Sequence, residues 1–205
     1  MIADAFDRQV LPLSPETEEK LRIYESLLRK WQKVINLVGP STLENIIEKH
    51  FMESAQLIKY IHSNEIVIAD MGSGAGFPGM VLAIMGVKNV HLIESDARKA
   101  VFLQNVSRET LTPVTVHNLR VEECVIPHID IITARALAPL KDLLGLMAKL
   151  APGDSARGLF LKGARAGDEI AEARRHWEFR AEVYNGLGKI VEISALSKKG
   201  EAHED

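Results

Sequence analysis

The feature that most constrains the fold is the glycine-rich stretch ADMGSGAGFPGM at residues 69–80. Four glycines fall within eight positions, after the apolar run EIVIAD and before the apolar run MVLAIM. Glycine permits positive φ angles and leaves the backbone N–H groups uncovered. A strand, a glycine loop and a helix in that order therefore predict a place where a ligand touches the backbone directly.

After residue 64 the chain alternates between short β-rich runs and helical segments. Strands are predicted at residues 65–71, 89–94, 113–118, 129–135 and 158–163, and helices at 78–86, 96–110, 139–150 and 167–177. This alternation predicts βαβ crossovers and a parallel sheet that is covered on both faces. Residues 179–185 and 188–194 predict a closing antiparallel hairpin. The predicted fold class is α/β, with a doubly wound, mostly parallel, seven-stranded Rossmann-like sheet.

The residues before 64 are predicted to be helical. Ser14 and Pro15 are typical of a helix start, and apolar residues then recur at three- and four-residue steps from Leu21 to Val38. A second helix is expected from a capping box formed by Ser41 and Glu44. We expect an N-terminal helical extension at 1–63, a catalytic domain at 64–197 and a polar tail at 198–205.

Composition narrows the functional classes. The formal net charge of −3 argues against bulk non-specific binding of nucleic acid, although a local basic face stays possible. Cys124 is the single cysteine, so an internal disulfide is excluded, and the 205 residues contain no apolar run of membrane-spanning length. The histidines show no metal-binding spacing. We expect a cytoplasmic monomer without a metal or a membrane anchor.

Two nucleotide-binding interpretations fit the glycine loop better than a purely structural turn. Gly74, Gly76 and Gly79 match the dinucleotide pattern G-x-G-x-x-G, and Glu94 follows at the ribose-binding position. Alternatively, Asp70-x-Gly72-x-Gly74-x-Gly76 resembles motif I of S-adenosylmethionine-dependent methyltransferases, again with Glu94 on the ribose. Only about 40 residues follow the fifth strand, too few for the substrate domain of a dehydrogenase, so the methyltransferase is favoured.

Two further stretches are candidates for the site. The loop NLRVEE after the third strand offers Val121 and Glu122 to the adenine, although the pattern alone favours a solvated turn with an acid at a helix start. After the fourth strand, IITARALAPL lacks the Asn-Pro-Pro or Asp-Pro-Pro motif that grips an exocyclic amine. The remaining candidates for catalysis are Arg135 and Lys162. A site that offers hydrogen-bond donors but no evident general base suits a methyl acceptor that needs no deprotonation, such as guanine N7.

The chain resembles the small-subunit rRNA methyltransferase G family, also called glucose-inhibited division protein B. The resemblance rests on the segments W-x4-NL, KHFMES, DMGSGAGFPG, RVEE, TARALAPL and LKG. It implies S-adenosylmethionine-dependent methylation of N7 of a guanine, at position 527 of 16S rRNA, with the small ribosomal subunit as partner. The expected cofactor-binding residues are Asp70, Gly72, Gly74, Gly76, Phe77, Glu94, Val121, Glu122 and Arg135. The expected rRNA-binding residues are His50, Lys162 and Arg165.

Two alternatives stay open at this point. The first is a small-molecule methyltransferase whose pocket is roofed by the N-terminal helices. The second is a non-catalytic, ribosome-associated binding module that kept the fold. The complete glycine loop and Glu94 argue against the second alternative, because a decayed pocket loses such residues.

Overall fold

One mixed sheet forms the centre of the computed structural model, which describes residues 2, 6, 12–153 and 156–200. The strands in the described ranges are β1 (Val67–Met71), β2 (Asn89–Ile93), β3 (Thr115–His117), β4 (Ile131–Arg135), β5 (Arg157–Lys162), β6 (Trp177–Asn185) and β7 (Lys189–Lys198). Their order is β3-β2-β1-β4-β5-β7-β6. Strands β1 to β5 run parallel, and β7 is antiparallel to both β5 and β6. The predicted fold class is confirmed.

Helices cover both faces of this sheet. In the described ranges from residue 12 onward they are α1 (Pro15–Trp31), α2 (Glu53–Ala55), α3 (Gly79–Ile84), α4 (Ala97–Glu109), α5 (Leu140–Leu150) and α6 (Ala166–Ala173). Helices α1, α3 and α4 share one apolar core with Ile68, whereas α5 and α6 share the other core with Ala69. Adjacent residues of β1 thus face opposite layers, as the period of a strand requires.

The central strands are buried on both faces, which explains their nearly continuous apolar sequences. Two polar residues interrupt them at the same level: Asp70 of β1 lies beside Thr133 of β4 in the strand register. Both side chains are fully buried. A paired polar couple in the middle of an apolar sheet therefore marks the level at which the site begins.

The first helix is shorter than its apolar periodicity predicts. Helix α1 starts as expected, with Ser14 Oγ accepting from the Thr17 N–H at 3.1 Å, but it ends at Trp31. The Gln32 side chain then accepts from the N–H groups of Leu37 and Val38, both at 3.0 Å, and stabilises a loop. The prediction that the helix continues to Val38 is wrong, because these side-chain bonds replace the helical ones.

The predicted capping box at Ser41 and Glu44 is also wrong. A single 3₁₀ turn occupies Pro40–Thr42, and the next helical residues begin at Ile47. From there a mixed helix, as we call residues 47–60, passes through a π-helical turn (Ile47–Met52), α2 and a 3₁₀ turn (Gln56–Tyr60). Within the 3₁₀ turn, the Thr42 hydroxyl forms a hydrogen bond with His50, which belongs to the site described below.

The N-terminal helices are built into the core of the molecule. Leu21, Tyr24 and Leu28 of α1 are completely buried, in one cluster with Met80 and Phe102. The division at residue 63 stays a prediction, and so does the polar tail at 198–205, of which residues 201–205 lie outside the described part. No helix among the described residues is long and apolar enough to cross a membrane.

Candidate active site

The site lies where the strand order reverses. β1 is flanked by β2 on one side and by β4 on the other, so the loops at their carboxyl ends diverge and leave a crevice. The glycine loop follows β1, Glu94 follows β2, and the segment Ala136–Pro139 follows β4. Sequence reasoning placed the ligand at this edge, and the topology brings these three segments together there.

The three glycines of the loop have different reasons for lacking a side chain. Gly72, Gly74 and Gly76 have positive φ angles of 62°, 57° and 97°. A Cβ on Gly76 would lie 2.6 Å from the Tyr24 hydroxyl, and one on Gly72 would lie 2.5 Å from Leu137 Cδ1. A Cβ on Gly74 would meet no atom closer than 3.8 Å. Packing within the protein thus requires Gly76, whereas a Cβ on Gly72 would displace only the flexible Leu137 side chain, and Gly74 is the glycine that is open to a ligand.

Glu94 connects the loops that follow β1 and β2. One carboxylate oxygen accepts from the Gly74 N–H at 2.8 Å and the other from the Asp96 N–H at 2.7 Å. The residue is only 7% exposed. Each carboxylate oxygen can accept a further hydrogen bond, so the group still suits a ribose diol. Asn118, which sequence reasoning quoted but did not select, donates to the Glu94 carbonyl at 2.9 Å.

Asp70 lies beneath the loop and supports it. Its carboxylate accepts from the Gly79 N–H at 3.2 Å and from the Thr133 hydroxyl at 2.7 Å, so it joins β1, the start of α3 and β4. Burial raises the pKa of Asp70 to about 6, against the hydrogen bonds that lower it. Its oxygens are occupied inside the protein, which favours a positioning role, while direct cofactor contact stays a prediction.

The raised pKa of Asp70 makes stability depend on pH. In the unfolded chain this carboxyl has a pKa near 3.8, so its contribution to the free energy of unfolding is fully present below about pH 3.8 and is lost as the pH rises through about 6. Relative to Asp70→Asn, whose amide does not titrate, the free energy of unfolding of the wild-type protein should fall by about 3 kcal/mol as the pH rises from about 3.8 to about 6. Denaturant unfolding of both proteins at a series of pH values measures this difference, and a difference that does not change with pH would contradict the assignment.

Val121 and Glu122 lie in a short 3₁₀ turn, Val121–Glu123, after β3. Val121 is 8% exposed and packs in the core layer of α5 and α6, whereas the Glu122 side chain is exposed. Their predicted contact with the adenine stays a prediction. The structure places the turn at the same sheet edge as Glu94.

Arg135, the last residue of β4, is held by the mixed helix. One terminal nitrogen (Nη1) lies 2.7 Å from His50 Nδ1, and the other (Nη2) donates to the Lys49 carbonyl at 2.6 Å. Glu53 lies 3.4 Å from Nη2, and the guanidinium stands over the Phe77 ring, 5.9 Å from its centroid. The cation is therefore fixed in orientation between two segments that are far apart in sequence.

His50 is a neutral support for this arginine. Burial and the nearby positive charge of Arg135 lower the pKa of His50 to about 3. Arginine has only donors, so Nδ1 of His50 accepts, and Nε2 carries the proton that is donated to the Thr42 hydroxyl at 2.7 Å. We predicted that His50 binds rRNA; that contact stays a prediction, and the structure gives the ring a positioning role.

The glycine loop is also held from the N-terminal side, which sequence reasoning missed. The Tyr24 hydroxyl donates to the Ala75 carbonyl within the loop. Its ring stacks on Phe77 with 5.5 Å between centroids and 17° between planes. Tyr24 belongs to the apolar stripe of α1, and no sequence signal distinguishes it from an ordinary core residue.

A cleft of about 890 Å³ opens beside Arg135 and contains the two other predicted substrate residues. Lys162 is anchored rather than exposed: its ammonium lies 2.7 Å from the Glu169 carboxylate and donates to the Ala138 carbonyl at 2.9 Å. Arg165 lines the same cleft with an exposed side chain. The structure thus brings Arg135, Lys162 and Arg165 to one cavity, with Lys162 holding the loop that follows β4.

The charges of the cleft are largely paired. Two of its carboxylates, Glu53 and Glu169, form ion pairs with Arg135 and Lys162. Against the effect of burial, the hydrogen bonds and charge of Lys162 lower the pKa of Glu169, whereas burial raises the pKa of Glu53 against the charge of Arg135. Within the described ranges, no group of three or more His, Cys, Asp or Glu residues is arranged to hold a metal ion.

The sheet order, the glycine loop at the switch point and the acid after β2 define an S-adenosylmethionine-dependent methyltransferase of the Rossmann-like class. Solved structures with this fold include magnesium protoporphyrin IX methyltransferase from Synechocystis with bound S-adenosylmethionine, at a TM-score of 0.57 and 14% identity, covering 90% of this chain and 97% of that chain. A putative RNA methyltransferase from Pyrococcus horikoshii matches at a TM-score of 0.51 and 18% identity, covering 88% and 98%.

The family follows from sequence comparison. The family described as rRNA small subunit methyltransferase G matches residues 17–192. The proteins of that name from Rhodospirillum centenum and Rhodospirillum rubrum are 48% and 46% identical to this chain. The matches cover 92% of this chain and 88% of the first relative, and 97% and 100% for the second. The chain belongs to the rRNA small subunit methyltransferase G family, as its sequence motifs predicted.

Proposed function

We propose that this enzyme transfers the methyl group of S-adenosylmethionine to N7 of a guanine in 16S rRNA. The observation that carries the proposal is the state of the cleft: its fixed cation, Arg135, faces an opening in which Glu53 and Glu169 are held by ion pairs. A site whose fixed cation is held between ion-paired carboxylates suits a ring nitrogen that already presents a lone pair. The family membership supports ribosomal RNA as the substrate.

The residues present fit the cofactor. Gly74 leaves open space beside its Cα, and Glu94 offers a carboxylate to the ribose hydroxyls. Val121 and Glu122 are proposed to border the adenine, and Phe77, whose ring contacts both Tyr24 and Arg135, to border the methionine side. When bound, S-adenosylmethionine supplies an electrophilic methyl group on a positively charged sulfur.

The role of Glu94 has a direct test. Glu94→Gln keeps the size of the side chain but loses the charge, so it should weaken cofactor binding by about 1.5–3 kcal/mol, a factor of roughly 10 to 150. Calorimetric titration with S-adenosylmethionine measures the change. Glu65→Gln, at an exposed acid paired with Lys88, is the matched control and should bind normally. Unchanged affinity in Glu94→Gln would transfer the ribose role to Asp96.

The chain's own contribution to the reaction is mostly alignment. We propose that Arg135 donates a hydrogen bond to guanine O6, next to N7, and so orients the base. Lys162 acts indirectly as a positioning residue, because its ammonium holds the Ala138 carbonyl in the loop that borders the same cleft. Holding two reacting groups in a productive geometry is a recognised source of rate enhancement. The positive charge of Arg135 is unfavourable beside the guanine ring, which becomes positively charged on methylation. Arg135 therefore contributes mainly by orienting the base.

The accessibility of N7 restricts the RNA conformation. In an A-form duplex this edge faces a deep, narrow major groove that side chains hardly enter. The target guanine therefore lies in a loop or is drawn out of its stack into the cleft. Arg165, exposed at the rim, is proposed to bind a phosphate of the same strand.

We further propose that the enzyme acts as a monomer in the cytoplasm, where ribosomal subunits assemble.

Radiolabelled methyl transfer tests the substrate class. The enzyme should label naked 16S rRNA, assembled small subunits or both, and should leave guanosine and other small acceptors unlabelled. Label in small molecules alone would favour a small-molecule methyltransferase. Cofactor binding without transfer to any acceptor would favour a binding module.

A further inference from the structure

A second, basic groove lies beside the cleft, on the face formed by α5 and the outer ends of β6 and β7. Its volume is about 820 Å³. One wall is a stripe of α5 at four-residue spacing: Lys141, Gly145 and Lys149. Gly145 has no side chain that would fill the groove between the two lysines. Among the described residues, the one atom within 4 Å of a Cβ added there would be Trp177 Cζ2, at 3.7 Å. The Trp177 indole N–H donates to the Lys141 carbonyl at 3.1 Å and ties the two walls together.

The groove concentrates positive charge on a chain whose formal net charge is −3. Five cations line it, against two carboxylates, Glu122 and Asp142. The cations are Lys141, Lys149, Arg175, Lys198 and Lys199. Within the part of the chain that the structure describes, no carboxylate lies within ion-pair distance of the ammonium of Lys141 or Lys149. Arg175 of the groove is paired with Glu172 at 2.9 Å, as several cations elsewhere are, for example Lys20 with Glu16 and Arg29 with Glu25, each at 2.8 Å.

The groove continues the cleft. Lys141 lines both cavities, and Glu122, at the other side of the groove, belongs to the turn proposed to border the adenine. From Lys141 to Lys149 the helix rises about 12 Å. Successive phosphates of a helical strand are about 3.4 Å apart along the axis, so the stripe is long enough to follow several of them.

We infer that this groove binds the sugar–phosphate backbone of the rRNA strand next to the target guanine, with Lys141 and Lys149 as phosphate contacts. The inference rests on the proposed function, because the strand must leave the cleft beside the methylated base. Unneutralised lysines at helical spacing suit a flexible run of phosphates, which lysine binds as a point charge.

The test removes the two charges while keeping helix-forming side chains. In Lys141→Gln/Lys149→Gln, the KM for rRNA should rise, and the slope of log affinity against log salt should become less negative by about 1.4, or 0.7 for each single-strand phosphate contact. The affinity for S-adenosylmethionine should be unchanged. The matched control is Lys30→Gln/Lys33→Gln, which removes two exposed lysines at the end of α1 and near it; it should retain the wild-type KM and salt slope.

The outcomes separate this inference from the proposed function. If the wild-type enzyme methylates rRNA and the groove variant keeps the wild-type KM and salt slope, the groove assignment is wrong. A defect on assembled subunits that disappears on naked rRNA would also overturn it, because the groove would then contact a ribosomal protein. If the wild-type enzyme labels no rRNA at all, the proposed function itself fails.

Discussion

Gly74→Val is expected to abolish binding of S-adenosylmethionine while the protein stays folded. No atom of the described residues lies closer than 3.8 Å to a Cβ added on Gly74, so the new side chain would occupy the volume expected to hold the ligand. The φ angle of 57° adds backbone strain, which costs about 1–3 kcal/mol and leaves a folded protein. Calorimetry gives the affinity, and circular dichroism gives the folded state.

Gly76→Val is the matched comparison, because it also places a β-branched residue at a positive φ angle. Here a Cβ would lie 2.6 Å from the Tyr24 hydroxyl and 2.9 Å from Met80 Cβ, so overpacking is added to the strain. We expect Gly76→Val to lower the melting temperature strongly. Retained cofactor affinity in Gly74→Val, or two variants with the same loss of stability, would contradict the division of roles within the loop.

Arg135→Lys is expected to lower methyl transfer to rRNA by about two orders of magnitude, although the positive charge is kept. Lysine lacks the planar fork that contacts His50, the Lys49 carbonyl and Glu53 together, so its ammonium is not fixed in direction. A misplaced orienting group of this kind costs about 10²-fold in rate. Single-turnover assays at saturating cofactor separate this effect from any change in cofactor affinity.

The control for this experiment is Lys162→Arg, which keeps a cation beside Glu169 and should retain more activity than Arg135→Lys. The pH profile provides a second readout. Because the pKa of His50 is lowered to about 3, this histidine should add no titration near pH 6.5 to the rate of the wild-type enzyme. Full activity of Arg135→Lys would show that methyl transfer does not depend on the planar guanidinium group of Arg135.

The fold was predictable because its signals are local and repeated. Each parallel strand is an apolar run between helical segments, and all seven strands begin within two residues of their predicted starts. Strand β6 begins at Trp177, two residues before its predicted start at 179, and helix α6 ends at Ala173 instead of continuing to the predicted residue 177. The spacing of the glycines and Glu94 predicted the sheet edge at which the loops after β1 and β2 meet.

The rest of the site depends on contacts between distant segments, which a sequence pattern does not contain. Arg135 was predicted as a site residue, but its partners His50 and Glu53 lie more than 80 positions away, on a helix whose π-helical turn has no sequence signature. The separate roles of Gly72, Gly74 and Gly76 depend on Leu137 and Tyr24. The end of α1 depends on one glutamine side chain.

The most direct test of the proposed reaction is the position of the methyl group on the RNA. Small subunits or 16S rRNA are methylated by the enzyme, digested with nuclease and analysed by mass spectrometry, and a parallel sample is treated with borohydride and aniline. We predict 7-methylguanosine and selective strand cleavage at the modified guanine. A methyl group on an exocyclic amine or a ribose, with no cleavage, would contradict transfer to N7.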